Sequence, residues 1–324
     1  MYSVRNFKDS KLNDEIGIYR TFSTYQMHVR SIVLYIVSSL ILTCLNAVFL
    51  HIIVVNSVVF ILFCRSLMTM IFLAPMRHQI ILPSFNIILM SFLNMSILMF
   101  TLLTNQTLSM TLANALRRLS IVSTLYIDCQ YTTVQIKVIY AVITMVTGIF
   151  IMCIEDFQYN PLGYIFVTIS NVLTTAYHFQ TKKTLNENMT KISILFWSSL
   201  CSTVLYGGVL LLFNPFSFQV MTMESFNVIF IISIILGSFM KYSTVWVLEQ
   251  NGPLTLSVST IIQHLIFDTV LIVSTIMTSN GSLLYFIGSI LSSTGAIVYI
   301  FVKKTPRRID SVLSKPLGNT VGVH

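Results

Sequence analysis

The chain is 324 residues long, with 55% hydrophobic and 9% charged residues. Ordinary soluble domains carry roughly a quarter charged residues, so the composition excludes a water-soluble globular protein. The net charge of +8 sits in short clusters, and it reflects membrane topology and anionic lipid rather than nucleic-acid binding.

Residues 1–30 are polar and mixed in charge, without an apolar stretch or small-residue cleavage site, and are read as a cytosolic tail. The first apolar span then serves as the insertion signal. No Asp, Glu, Lys or Arg occurs in 31–64, 78–116, 157–181, 192–223 or 269–302. A membrane helix needs about 20 apolar residues. These runs are continuous rather than alternating, which points to helices and excludes a barrel. Hydropathy and breakers place ten spans near 31–50, 52–73, 85–104, 109–129, 134–154, 161–180, 192–213, 225–248, 253–277 and 282–302. Residues 303–324 form a basic C-terminal tail. The expected fold class is therefore an all-α integral membrane protein with ten transmembrane helices.

Lys and Arg decide the orientation. The tails and the even-numbered loops hold Arg30, Arg77, Lys182, Lys183, Lys191, Lys303 and Lys304 among others, while the odd-numbered loops hold none. Positive residues stay on the cytosolic face, so both termini are expected there. Ten spans with co-located ends suggest two inverted five-helix repeats, 31–154 and 161–302. That plan places a transport site at the midplane between the halves. The echo of Thr111-Leu-Ala-Asn in Thr255-Leu-Ser-Val is slight. Sequons at Asn105, Asn188 and Asn280 are weak signals, and none is expected to carry glycan. The five cysteines have no disulfide or zinc spacing and read as packing residues. No metal or cofactor is expected.

Cations at bilayer depth need a cavity, a pathway or a partner. Arg117 and Arg118 stand eight or nine residues into span four, roughly 13 Å along it. As neighbours about 100° apart, both can border one wide cavity. Two readings stay open: bidentate contacts to the phosphates of an anionic ligand, or pairing with Asp268 or helix-end carbonyls. Lys241 in span eight divides in the same way between ligand contact and an ion pair with Asp268. Arg65 and Lys137 lie where long side chains snorkel. Gln263 and His264 in span nine read as an interhelical hydrogen bond or a site edge. Asn171, Tyr177 and His178 in span six offer polar edges and an aromatic face to a base. Gly288, Ser292 and Gly295 give span ten a small-residue face, for packing or for a homodimer.

Three segments carry a family resemblance: Met110-Thr-Leu-Ala-Asn-Ala-Leu-Arg-Arg-Leu-Ser, Pro161-Leu-Gly-Tyr-Ile-Phe through Asn171 to Lys182-Lys-Thr-Leu, and Asn251-Gly-Pro-Leu-Thr-Leu. They resemble nucleotide-sugar transporters of the drug/metabolite transporter superfamily. The nearest pattern is the UDP-glucuronate/UDP-N-acetylgalactosamine branch, whose relatives also carry UDP-N-acetylglucosamine. The resemblance implies a ten-helix inverted repeat and a Golgi or ER membrane location. It also implies exchange of cytosolic UDP-sugar for lumenal UMP. Arg117 and Arg118 match the family's span-four arginines. The family's Asn-Lys of span one reads Asn46-Ala47, its Tyr-Asn of span seven reads Trp197-Ser198, and its Lys-Asn of span nine reads Gln263-His264. Two cationic positions are thus absent, and Lys241 is the candidate to compensate. The competing expectation is a non-transporting relative acting as a regulatory or scaffolding subunit. Intramembrane hydrolase motifs such as H-E-x-x-H and G-x-S-x-G do not occur, so an enzyme is not expected.

Overall fold

The computed structural model describes residues 26–45, 58–131, 133–155, 160–213, 224–276 and 283–304, apart from positions 82, 84 and 188. The described elements are all helical. They are α1 (Gln26–Leu45), α2 (Val58–Leu73), a 3-10 helix (Ala74–Gln79), α3 (Phe85–Thr107), α4 (Met110–Arg117), α5 (Ser120–Tyr131), α6 (Ile136–Glu155), α7 (Pro161–Asn186), α8 (Lys191–Phe213), α9 (Glu224–Asn251), α10 (Pro253–Ile276) and α11 (Leu283–Lys304). Among the described residues, seven helices are long and apolar enough to cross a membrane. The chain is thus a multi-pass, all-helical membrane protein.

Local chemistry sets the helix ends. Asn160 caps α7, its side-chain oxygen accepting from the Gly163 amide, with Pro161 in the first helical position. Between α9 and α10, Gly252 takes φ +88, its amide bonds the Leu248 carbonyl at 3.2 Å, and Pro253 opens the next helix. This is the αL stop that only glycine adopts cheaply, followed by a residue preset for helix.

One expected span differs. The fourth is two helices, because α4 ends at Arg117 and α5 restarts at Ser120. Around the break, bonds run to the third residue back: Arg118 N to Ala115 O, Leu119 N to Leu116 O and Ile121 N to Arg118 O. Such tightened turns leave carbonyls with spare capacity. Helix α7 takes them up: Asn171 Nδ2 donates to Leu116 O at 2.9 Å, and Thr175 Oγ1 to Ser120 O at 3.4 Å.

The most extensive contact joins α6 to α11, and glycines make it close. A Cβ on Gly288 would stand 2.6 Å from Gly148 O, and one on Gly148 only 2.4 Å from Ser292 N. The small-residue face of α11 therefore packs within the chain against α6. Ile121, Met145, Val258, Ile261 and Ala296 form a dry core across α5, α6, α10 and α11. The outer face of α6 shows Ile143, Phe150 and Ile154 instead, the apolar exposure a bilayer accepts.

Further neighbours are α3 with α7, α2 with α8 and α5 with α10, and Ser38 of α1 meets Ser243 of α9. The ends that carry Lys and Arg lie together. His28 O accepts from Asn251, Gln79 O from Ser193, and Glu187 from Asn86. At the opposite end, Thr107 O accepts from Asn160.

Candidate functional site

The two adjacent arginines diverge. Side chains on a helix lean toward its N-terminus, so the Arg117 guanidinium reaches back along α3. It donates to Thr101 O at 3.0 Å, Asn105 Oδ1 at 2.6 Å and Asn114 Oδ1 at 3.1 Å. Three neutral oxygens therefore hold it near the end of α3 that carries no basic loop, and the sequon asparagine Asn105 is one of them. Arg118 is only 4% exposed and turns the other way, Nη1 donating to Met152 Sδ of α6 at 3.6 Å. The two side chains thus take these partners from different helices, α3 and α4 for Arg117 and α6 for Arg118.

A second centre lies deeper in the bundle. A cavity of about 170 Å³ opens between α3, α7, α8 and α9, lined by Asn94, Tyr177, Ser198, Ser202 and Lys241 among others. Lys241 stands ten residues before the end of α9, roughly 15 Å from the basic end at 1.5 Å per residue. Its ammonium donates to Ser66 Oγ of α2 at 3.1 Å. Arg65, the neighbour of Ser66, donates to Ser233 Oγ of α9 and crosses α9 at Gly237. A Cβ there would stand 2.7 Å from Arg65 Cδ. Both cations therefore lie in the contact between α2 and α9.

The remaining candidates fall into place around these centres. Tyr177 lines the cavity and tilts against His178 at 5.9 Å. Asn171 supports the break in span four through the bond to Leu116. Gln263 is 3% exposed and donates to Thr43 Oγ1 of α1 at 2.9 Å, an interhelical bond. Trp197 donates to Ile81 O at 2.8 Å, while its neighbour Ser198 faces the cavity. Asn46, Ala47, Asn188, Asn280 and the side chain of Asp268 lie outside the described residues. Sequence reading set Arg65 aside as a snorkelling residue. Its signal was Gly237, a helical glycine facing it from another span, which no single-chain pattern pairs.

The described helices thus enclose a cavity with a lysine on its wall, inside a multi-pass membrane bundle. By sequence the chain is similar to several UDP-sugar and nucleotide-sugar transporters. It is 28% identical over 233 residues to UDP-sugar transporter sqv-7 of Caenorhabditis elegans, covering 67% of this chain and 68% of that one. It is 29% identical over 175 residues to UDP-sugar transporter UST74c of Drosophila melanogaster, covering 50% and 45%. Nucleotide sugar transporter SLC35D2 of Mus musculus matches at 28% over 206 residues, covering 60% and 62%. The chain thus spans between about half and two thirds of the length of these relatives. No protein-family model matches it. One solved crystal structure superposes over 86% of this chain and 97% of its own, with a TM-score of 0.62 at 12% identity, which shows a shared fold.

Proposed function

We propose that this chain is a nucleotide-sugar antiporter that exchanges a cytosolic UDP-sugar for lumenal UMP by alternating access in a Golgi or ER membrane. The cavity holding Lys241 inside an apolar bundle carries this reading, because a cation at that depth calls for an anionic passenger or an internal partner. The sequence relatives are named as UDP-sugar and nucleotide-sugar transporters, which supplies the substrate class.

The helix neighbours support two inverted repeats, 31–154 and 161–302, with both termini cytosolic. Number the spans with α4 and α5 together as the fourth, and relate each span to the one five places on. The contacts α2 with α8, α5 with α10 and α6 with α11 then join related spans. The contact of α3 with α7 has its counterpart in α9 with α1. That is the pattern a two-fold axis in the membrane plane produces. In this scheme the halves rock around the bound phosphates. Buried positive charge in an empty cavity opposes reorientation, which couples outward to inward movement.

The test is uptake of labelled UDP-sugar into proteoliposomes preloaded with UMP. Uptake that needs internal UMP supports exchange, and equal uptake into empty vesicles defeats it. Arg117 and Arg118 belong to the proposed site with Lys241, Asn171, Tyr177, Gln263 and His264. Unchanged uptake after Arg118→Ala would remove the arginines from it.

A second reading, a non-transporting regulatory subunit, draws on the neutral acceptors that already bind the Arg117 guanidinium and on the Thr43 bond that engages Gln263. It expects no uptake of any nucleotide sugar by the purified protein.

A further inference from the structure

We infer that the α2–α9 cation pair is the phosphate-binding centre of this protein, with Lys241 contacting the anion and Arg65 positioned behind it. The inference deepens the transporter reading and rests on it for the identity of the nucleotide.

Three observations carry it. First, Lys241 lines the cavity and remains partly accessible although it lies deep in the bundle. Among the described residues its one hydrogen-bond acceptor is the Ser66 hydroxyl. An ammonium has three donors, so two are left to point at a ligand. Second, Arg65 and Lys241 share the α2–α9 contact: Arg65 binds Ser233 and crosses α9 at Gly237, about one turn before Lys241, which binds Ser66 beside Arg65. Bringing like charges together away from bulk water is unfavourable, and an anion seated between or beside them reverses the sign. Third, the remaining lining suits the atoms next to a phosphate. Asn94, Ser198 and Ser202 supply short polar groups, and Tyr177 supplies an aromatic face.

Size narrows the occupant. Pockets for drug-sized ligands measure roughly 300–1000 Å³, and this cavity is about 170 Å³. In this conformation it takes a phosphate-sized group and its immediate neighbours, and a whole nucleotide sugar requires the helices to part. The break in span four differs in kind: Arg117 already meets three oxygens of the protein itself.

The experiment is thermal unfolding of the purified full-length protein, titrated with UMP, inorganic pyrophosphate and uridine. UMP and pyrophosphate are expected to raise the Tm of the wild type, and uridine at equal concentration is not. Lys241→Met is expected to unfold at or above the wild-type Tm without ligand. Its UMP midpoint is expected to move at least about tenfold higher, the loss of one charge-assisted bond, while Lys241→Arg keeps most of the response. An unchanged UMP midpoint in Lys241→Met overturns the inference and leaves the transporter reading standing. A fall in Tm in Lys241→Met that Asp268→Asn restores overturns it too, by showing a structural ion pair. If pyrophosphate acts through Lys241 while UMP and UDP-sugars have no effect, the anion centre stands and the nucleotide reading falls. If neither anion shifts the wild type, both fall.

Discussion

Arg117 shows how a charged residue becomes tolerable inside a membrane without an opposite charge. Its guanidinium meets a carbonyl and two amide oxygens, and hydrogen bonds to a charged group contribute about 1.5–3 kcal/mol each. Arg117→Ala leaves those oxygens with fewer partners, so a loss of stability of about 1–3 kcal/mol is expected, read as a lower Tm in detergent. Gly252 makes a separate point about the backbone. Nothing lies within 4 Å of a Cβ placed on it, yet its φ is +88. The left-handed conformation costs other residues about 1–2 kcal/mol. Gly252→Ala is expected to destabilise by that amount through strain alone, checked by the same unfolding measurement.

At the scale of elements, two glycines in comparable helices are expected to behave oppositely. Gly288 sits where α11 meets α6, with Gly148 O 2.6 Å and Met152 N 2.8 Å from its would-be Cβ. Backbone atoms cannot swing aside as a side chain does. Gly288→Val is therefore expected to cost about 1–3 kcal/mol as an overpacked site and to lower the folded yield. Gly208 in α8 has nothing within 4 Å, so Gly208→Ala is expected to be neutral or to stabilise by up to about 1 kcal/mol. Comparative unfolding of the two variants checks both. Near the basic end, Glu249 of α9 joins Lys191 of α8 at 2.8 Å, and Lys182 of α7 donates to its carbonyl at 2.7 Å. These ties close the ends of three helices. Glu249→Gln removes the ion pair and is expected to quicken labelling of a cysteine placed at Ser198 by a reagent added from the cytosolic side.

For the whole molecule, the grouping of the Lys- and Arg-bearing ends predicts topology. Epitopes at residue 1 and residue 324 are both expected to be reached by antibody on sealed microsomes without permeabilisation. An epitope in the loop after α6 is expected to need detergent. Staining of only one terminus on intact vesicles would show an odd number of crossings and end the inverted-repeat scheme.

The helical membrane class and most helix positions were legible in the chain, because apolar length and charge exclusion are properties of consecutive residues. Span limits from hydropathy agree with α3, α6, α7 and α8 to within a few residues, apart from a charged end of α7 that extends past the apolar run. The Leu116-Arg117-Arg118 run marked a basic locus in the sequence, and the structure places it at the break between α4 and α5. What the sequence could not supply was which groups face each other. The direction of each arginine depends on acceptors in α3 and α6, and the break between α4 and α5 is stabilised by Asn171 and Thr175 of another helix. Arg65 crosses α9 at Gly237, where the missing side chain leaves room for it. Residues 168 and 175 positions apart were brought together by packing, and packing follows the shape of the whole bundle rather than the order of its residues.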